Sequence, residues 1–206
     1  KQGYAVAQAA LDAGAHVTLI TTPTGLQPPV GARLIPVESA SQMLAAVLEQ
    51  IDGADALIMA AAVADFRPVE VADQKIKKKS KTLRLELTRT DDILEHVGKH
   101  RIETGNPRVL VGFAAETQDL IRNAKSKLER KHVDFIVANN VAVEGAGFGI
   151  DTNIVTILGA DGSIVPLPQQ SKSSVAEAII SRVAARLQTV PRRPESIESE
   201  DTSPEE

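Results

Sequence analysis

Apolar residues along the chain come in two rhythms. Short apolar runs, Ala56-Leu-Ile-Met-Ala60, Arg108-Val-Leu-Val-Gly-Phe-Ala114 and Asp134-Phe-Ile-Val-Ala-Asn-Asn140, the last closed by two amides, predict parallel strands covered on both faces. Between them the apolar positions recur every three or four residues. Met43, Leu44, Val47, Leu48 and Ile51 form one stripe of a helix that Ser39 or Ser41 caps. Further helices are predicted from Gln118 to Lys131 and from Ser171 to Leu187. The opening Lys1–Gly14, rich in good helix formers, predicts a helix stopped by Gly14, with a strand over His16–Thr21 after it. Helix, glycine, then strand is the second half of a βαβ unit, so the first strand and its glycine turn are expected upstream.

Shorter signals complete the pattern. Thr22–Gly31 holds three prolines and two glycines and predicts a loop. Pro36 marks Ala32–Val37 as a strand at an edge or an ending. Leu83-Arg-Leu-Glu-Leu-Thr88 alternates strictly and predicts a half-exposed strand. Thr90-Asp-Asp-Ile-Leu-Glu predicts a helix start with a hydroxyl cap and acids in its first turn. Asn153–Leu158, the Asp161-Gly162 turn and Ser163–Pro168 predict a late hairpin. The whole predicts an α/β chain: a Rossmann-like, doubly wound, mostly parallel sheet with a late β-hairpin extension. Residues 1–190 form one nucleotide-binding domain in this reading, and residues 191–206 a disordered acidic tail.

Composition narrows the function classes. A chain of 206 residues with 43% hydrophobic content can build one sizeable core, and with only 2% aromatics that core is aliphatic. There is no cysteine, which excludes disulfides, thiolate zinc sites and a cysteine nucleophile and fits a reducing cytosol. No apolar run approaches the roughly 20 residues of a membrane span, and no signal peptide is visible. The tail from Pro191 holds two arginines and six acids, so residues 1–190 balance at 21 bases and 21 acids. A neutral body gives no overall attraction to nucleic acid, and positive charge matters only where it is local.

The most concentrated local charge follows the Ala56–Ala60 run. Four small residues, Ala61-Ala-Val-Ala64, lead into Asp65-Phe66-Arg67, and five lysines follow at 75, 77, 78, 79 and 81. Open α/β sheets bind ligands at the carboxyl ends of their strands. Small residues there let a ligand lie against backbone, and clustered lysines can neutralise a polyphosphate. A solvated surface loop is the plain alternative for such a run, and a turn residue is the plain alternative for Asp65. Lys127 and Lys131 share a helix face at i,i+4 spacing, where they could also simply complement the dipole. Asp91-Asp-Ile-Leu94 offers the free N–H groups of a helix start. His96 and His100 lack a third metal ligand. Gly145-Ala-Gly-Phe-Gly149 precedes a strand, so it lacks the helix of a dinucleotide fingerprint.

Four of these segments, Ala61-Ala-Val-Ala-Asp-Phe-Arg67, Lys75-Ile-Lys-Lys78, Gly112-Phe-Ala-Ala-Glu-Thr117 and Ala138-Asn-Asn140, stand in the order and spacing of one family. The chain resembles phosphopantothenate–cysteine ligase, the synthetase half of the bacterial bifunctional coenzyme A biosynthesis protein, over about residues 1–188. The resemblance implies a cytoplasmic ligase that joins 4′-phosphopantothenate to cysteine at the expense of CTP, with Mg²⁺, through an acyl-cytidylate. It assigns catalysis to Lys75, CTP contacts to Asp65, Asp91, Asp92, Ile93, Leu94, Phe113, Lys127 and Lys131, and substrate contacts to Asn139 and Ala61. The family usually has proline where this chain has Asp91. An asparagine-bearing loop is implied upstream of Lys1, and beyond it a flavin decarboxylase half that alone uses FMN. A homodimer is implied too, with the late hairpin (153–168) as partner surface; neither nucleic acid nor membrane is. The rival readings are an NAD(P)-binding Rossmann oxidoreductase and a nucleic-acid module, the latter lacking aromatics for base stacking.

Overall fold

The computed structural model describes residues 1–77, 82–116, 119–140 and 149–191. Lys78, Lys79 and Lys81 of the lysine run, most of the glycine-rich loop before Asp151 and the acidic tail from residue 192 lie outside the described residues. In chain order the elements are α1 (Gln2–Asp12), β1 (Thr18–Thr21), β2 (Arg33–Pro36), α2 (Ala40–Gln50), β3 (Ala56–Met59), β4 (Phe66–Pro68) and β5 (Leu87–Arg89). After these come α3 (Ile93–Thr104), β6 (Val109–Glu116), α4 (Leu120–Lys131), β7 (Phe135–Asn140), β8 (Thr152–Gly159), β9 (Ile164–Ser171) and α5 (Lys172–Thr189).

Five strands form the main sheet in the order β3-β6-β7-β8-β9. β3, β6 and β7 run parallel, whereas β8 and β9 add antiparallel. The sheet is therefore mixed, and the late hairpin continues it rather than standing apart. β1 and β2 form a separate parallel pair, and β4 and β5 an antiparallel one. Helices cover both faces. On one, Met43 and Val47 of α2, Ile51 in the 3₁₀ turn (Ile51–Gly53) that follows it and Val97 of α3 meet Leu110, Ala114 and Ile136; on the other, Val6 of α1 and Val175 and Ile179 of α5 meet Val109, Val111, Val137 and Val155.

The expected full burial holds for the middle of β6 and β7, with Phe113 and Phe135 only partly buried, but not for β3. Val109, Leu110 and Val111 are fully buried, whereas every residue of β3 is only half-buried. β3 is the edge of its sheet, and its free side faces β1 across an open cleft. An apolar run reports the faces of a strand, not who stands beside it.

Local chemistry sets the helix ends. Ser39 caps α2 in a capping box, its hydroxyl accepting from the Gln42 amide while the Gln42 side chain accepts from the Ser39 amide. α3 begins later than its sequence suggests. Asp92, not Thr90, is the cap, its Oδ1 accepting from the Glu95 amide at 3.1 Å. Thr90 lies outside the helix start, its amide donating to the Asp65 carbonyl at 2.9 Å at the end of the β4–β5 pair. The alternating Leu83–Thr88 segment also differs. Only Leu87 to Arg89 pair with β4, and the leucines lie exposed, because nothing among the described residues covers their face.

Gly98 lets α3 and the end of α4 touch. A Cβ there would lie 2.2 Å from the Lys131 carbonyl oxygen, a backbone atom that cannot swing aside. Gly98→Ala is therefore expected to destabilise the domain by about 1–3 kcal/mol, the usual range for overpacking. Urea unfolding measures it, and an unchanged midpoint would mean the two helices separate freely.

Candidate nucleotide site

A cleft of about 580 Å³ opens between β1 and β3, within the roughly 300–1,000 Å³ of small-molecule sites. β1 forms one wall and Leu57–Ala64 the other, with Ser39–Ser41 at the α2 N-terminus and Gly3 and Tyr4 of α1 at its ends. The wall beyond β3 is Ala60-Ala-Ala-Val-Ala64, so a ligand there meets backbone and methyl groups only. Phe66, Arg67 and Thr90 line the cleft as well. The Tyr4 hydroxyl lies 3.3 Å from the hydroxyls of both Thr21 and Thr24, giving one end of the cleft a polar cluster.

Of the residues singled out in the sequence, Ala61 is in this wall. Asp65 and Asp91 are exposed beside it, held close by the Thr90–Asp65 backbone bond. Ile93 and Leu94 are core residues, 2% and 7% exposed, so only their backbone N–H groups at the α3 start are available to an anion. Gly112 makes room for Leu94: a Cβ there would lie 2.5 Å from its Cδ2.

A second group gathers where α3 meets α4. Lys131 Nζ reaches Asp92 Oδ2 at 2.6 Å, with the lysine side chain mostly buried and the carboxylate half-exposed. Lys127 is half-buried one turn earlier on the same helix. Burial pushes the Asp92 carboxyl up, but the Lys131 hydrogen bond, the Glu95 amide and the positive charge of Lys131 and Arg130 together outweigh it. The net direction is down from the ordinary value of 3.8. A depressed carboxyl stabilises the fold above its unfolded value and loses that contribution as pH falls through the folded one. Asp92→Asn keeps a good cap and removes the charge. Its stability at neutral pH should fall by at most about 1 kcal/mol, and its acid destabilisation should be shallower as pH falls from about 4. Superimposable pH–stability curves for the two proteins would refute the pair's contribution.

The remaining assignments are spread out. Phe113 packs partly against the α1 and α5 layer, on the opposite face of the sheet from Leu94 and Ala114, because β6 alternates. Asn139 sits near the carboxyl end of β7 with its Oδ1 buried and without a hydrogen-bond partner among the described residues, which leaves an acceptor ready for a ligand donor. Lys75 is exposed. None of Lys75, Lys127 and Lys131 lines the cleft. Arg67, Tyr4, Thr21 and Thr24 were not singled out, although Arg67 stands inside the Asp65-Phe-Arg67 run and signalled a cation beside the small residues. Among the described residues no group of three metal-ligating side chains occurs. His100 instead meets Asp52 Oδ1 at 2.7 Å, and His96 Nδ1 lies 3.0 Å from the Asp92 carbonyl. No helix among the described residues is long and apolar enough to cross a membrane.

A cleft at the carboxyl end of β3, walled by small residues and flanked by helix N-termini, defines the class: a ligand-binding α/β domain. Comparison with known proteins supplies the family. The model of the DNA/pantothenate metabolism flavoprotein C-terminal domain matches residues 1–187, and the chain belongs to that family. The coenzyme A biosynthesis bifunctional protein CoaBC of Bacillus subtilis is 50% identical over 186 residues, 90% of this chain and 45% of that protein. The chain thus spans about half the length of the curated relatives it matches. A crystal structure of the C-terminal domain of a CoaBC protein superposes with a TM-score of 0.75 at 37% identity, covering 91% of this chain and 83% of that one. The DNA/pantothenate metabolism flavoprotein from Streptococcus pneumoniae shares the fold, with a TM-score of 0.73 at 21% identity over 89% of this chain and 87% of that one.

Proposed function

We propose that this domain ligates 4′-phosphopantothenate to cysteine with CTP, as the synthetase part of a cytoplasmic bifunctional enzyme of coenzyme A biosynthesis. The full-length protein then carries a flavin decarboxylase domain upstream, and FMN belongs to that half. The observation that carries this reading is the cleft wall itself: the Ala61–Arg67 segment, one of the family's ordered motifs, borders the cleft where β3 ends.

The chemistry divides in two. A carboxylate oxygen of 4′-phosphopantothenate attacks the α-phosphorus of CTP, the bond to the β-phosphate oxygen breaks, and pyrophosphate leaves. The cysteine amine then attacks the acyl carbon, loses a proton, and CMP departs with its oxygen. The first step brings an anion to a polyanion, so the protein must cancel repulsion and fix geometry. In this reading Lys75 stabilises charge on the α-phosphate. Lys127 and Lys131, with the N–H groups of Ile93 and Leu94, hold the other phosphates, and Lys131 exchanges its Asp92 partner for one of them. Phe113 contributes to the nucleotide site, and the unpaired Asn139 Oδ1 accepts a donor from the pantothenate amides or hydroxyl. Asp65 and Asp91 are exposed carboxylates beside the cleft and suit a Mg²⁺ brought in on the triphosphate, which takes few protein ligands. When bound, that ion would neutralise phosphate charge.

The order of steps is open to a direct test. Without cysteine, CTP and 4′-phosphopantothenate should release pyrophosphate and leave an acyl-cytidylate detectable by mass. Adding cysteine should then liberate CMP. Pyrophosphate release that strictly requires cysteine would contradict the two-step scheme.

A further inference from the structure

A buried lysine stands where electrostatics disfavours it. Lys172 is 7% exposed and opens α5, and the first turn of a helix carries positive partial charge. Burial and the neighbouring Lys1 charge hold its ammonium below the ordinary range, with Asp151 offsetting them in part. That carboxylate is itself exposed and paired to Lys1 at 2.9 Å. A cation placed so costs stability, and positions that break a rule of stability concentrate where function requires it.

The lysine is one knot in a polar network that ties three pieces of chain together. Its Nζ donates to the Ile150 carbonyl and its amide to the Asp151 carbonyl, which fastens the entry to β8 onto the start of α5. Gln2 Nε2 donates to the Lys172 carbonyl at 2.9 Å, and Asn153 Nδ2 donates to Gln2 Oε1 at 3.2 Å, which adds the first turn of α1. The buried Asn153 side chain also accepts from the Ile154 amide at 3.1 Å. Satisfied networks of this kind fix one arrangement of their parts.

The parts so fixed surround the Asn139 acceptor. β7 alternates, so Asn139 lies with Phe135 and Val137 on the face that α1 and α5 cover. It pairs with Val155 of β8, and Asn153, two residues before Val155, shares that face. Gly3, next to Gln2, borders the cleft, where a Cβ on it would lie 3.4 Å from the Ala60 Cβ. The network therefore sets where α1 begins relative to both the small-residue wall and the unpaired Asn139 Oδ1.

We propose that Lys172 is a positioning residue for 4′-phosphopantothenate: through Gln2 and Asn153 it holds the first turn of α1 and the entry of β8 around Asn139, so that the Asn139 Oδ1 meets the substrate's donor. This rests on the substrate contact proposed for Asn139.

Lys172→Met keeps the aliphatic stem and removes the charge and the bond to Ile150, a residue exposed enough for water to serve its carbonyl. The variant should melt at or above the temperature of the unmodified chain, because replacing a buried charge by apolar volume is often neutral or stabilising. Its KM for 4′-phosphopantothenate should nevertheless rise by up to about tenfold, the worth of one hydrogen bond, with the KM for CTP unchanged. Gln2→Ala, at a half-buried position, should raise the same KM and also spare CTP. Asn139→Ala should match Lys172→Met, and the two together should do no more than either, because both act through one oxygen. A lysine that only braces the fold would instead lower the melting temperature, and its effect would multiply with that of Asn139→Ala. An unmodified chain that makes no amide overturns the ligase reading and this role together. A chain that does make it, with the KM unmoved by Lys172→Met or raised afresh in the double variant, overturns the positioning role alone.

Discussion

Lys75→Gln is expected to cut ligation by about a hundredfold to a thousandfold, the usual cost of removing one group that stabilises developing charge. The same variant should melt where the unmodified protein does. Lys75 is exposed and makes no ion pair among the described residues, so its removal leaves no buried charge behind. The loss should fall mainly on kcat, because a group acting on the α-phosphate works in the transition state more than in binding. Lys77→Gln, two residues on in the same run, should lose far less. Lys75 does not line the cleft, so the proposed role also requires it to move over the nucleotide with its segment, the expected lid of about residues 68–82, of which 78–81 lie outside the described residues. CTP should therefore slow proteolysis within it. Undiminished turnover by Lys75→Gln would remove this residue from the mechanism, and equal cleavage with and without CTP would remove the lid.

Asp134→Ala should cost the fold about 3–5 kcal/mol, the loss expected when one member of a buried ion group is removed. Asp134 is 5% exposed at the start of β7. Its Oδ2 lies 2.7 Å from Arg101 Nη1, its Oδ1 3.1 Å from Arg186 Nε, and the Leu110 amide donates to Oδ2 at 2.9 Å. One carboxylate thus ties α3, α5 and β6 to the sheet. Alanine would leave the Leu110 amide buried without its acceptor and remove the anion that both guanidinium groups face, Arg101 keeping its bonds to the His132 and Arg108 carbonyls. Asp134→Asn keeps acceptor capacity and should lose less. Urea unfolding with activity normalised to folded protein is the measurement, and a loss below about 1 kcal/mol would show that solvent replaces the carboxylate.

What was legible in the sequence was periodic or local. β6 and β7 announced themselves because both their faces are covered, and α2 because its stripe and its Ser39 cap lie within one stretch of chain. β3 carried the same apolar signature yet stands at an edge, since burial of faces says nothing about lateral neighbours. Thr90 and Asp92 both have capping side chains, and the sequence does not show that the helix starts two residues later, at Asp92, with Thr90 held to Asp65 by a contact 25 residues apart in sequence. The alternation of Leu83 to Leu87 was visible, but among the described residues no element covers its apolar face, and alternation alone does not say whether one will. At the site, the small-residue wall from Ala61 was readable because backbone access demands small side chains. The Asp92–Lys131 bond was not, because it depends on how α3 and α4 pack, and the layer that Phe113 meets was not, because it depends on where α1 and α5 pack. Tyr4, Thr21 and Thr24 have ordinary sequence surroundings and become a cluster only when α1 and β1 are brought together.

The central claim, a CTP-dependent ligase, is tested most directly by offering 4′-phosphopantothenate, cysteine and Mg²⁺ with each of the four nucleoside triphosphates and following the amide product. The account predicts product with CTP, accompanied by equal amounts of CMP and pyrophosphate. Product formed with release of a nucleoside diphosphate and inorganic phosphate would contradict it, as would a chain that makes no product and binds NAD(P) instead of CTP.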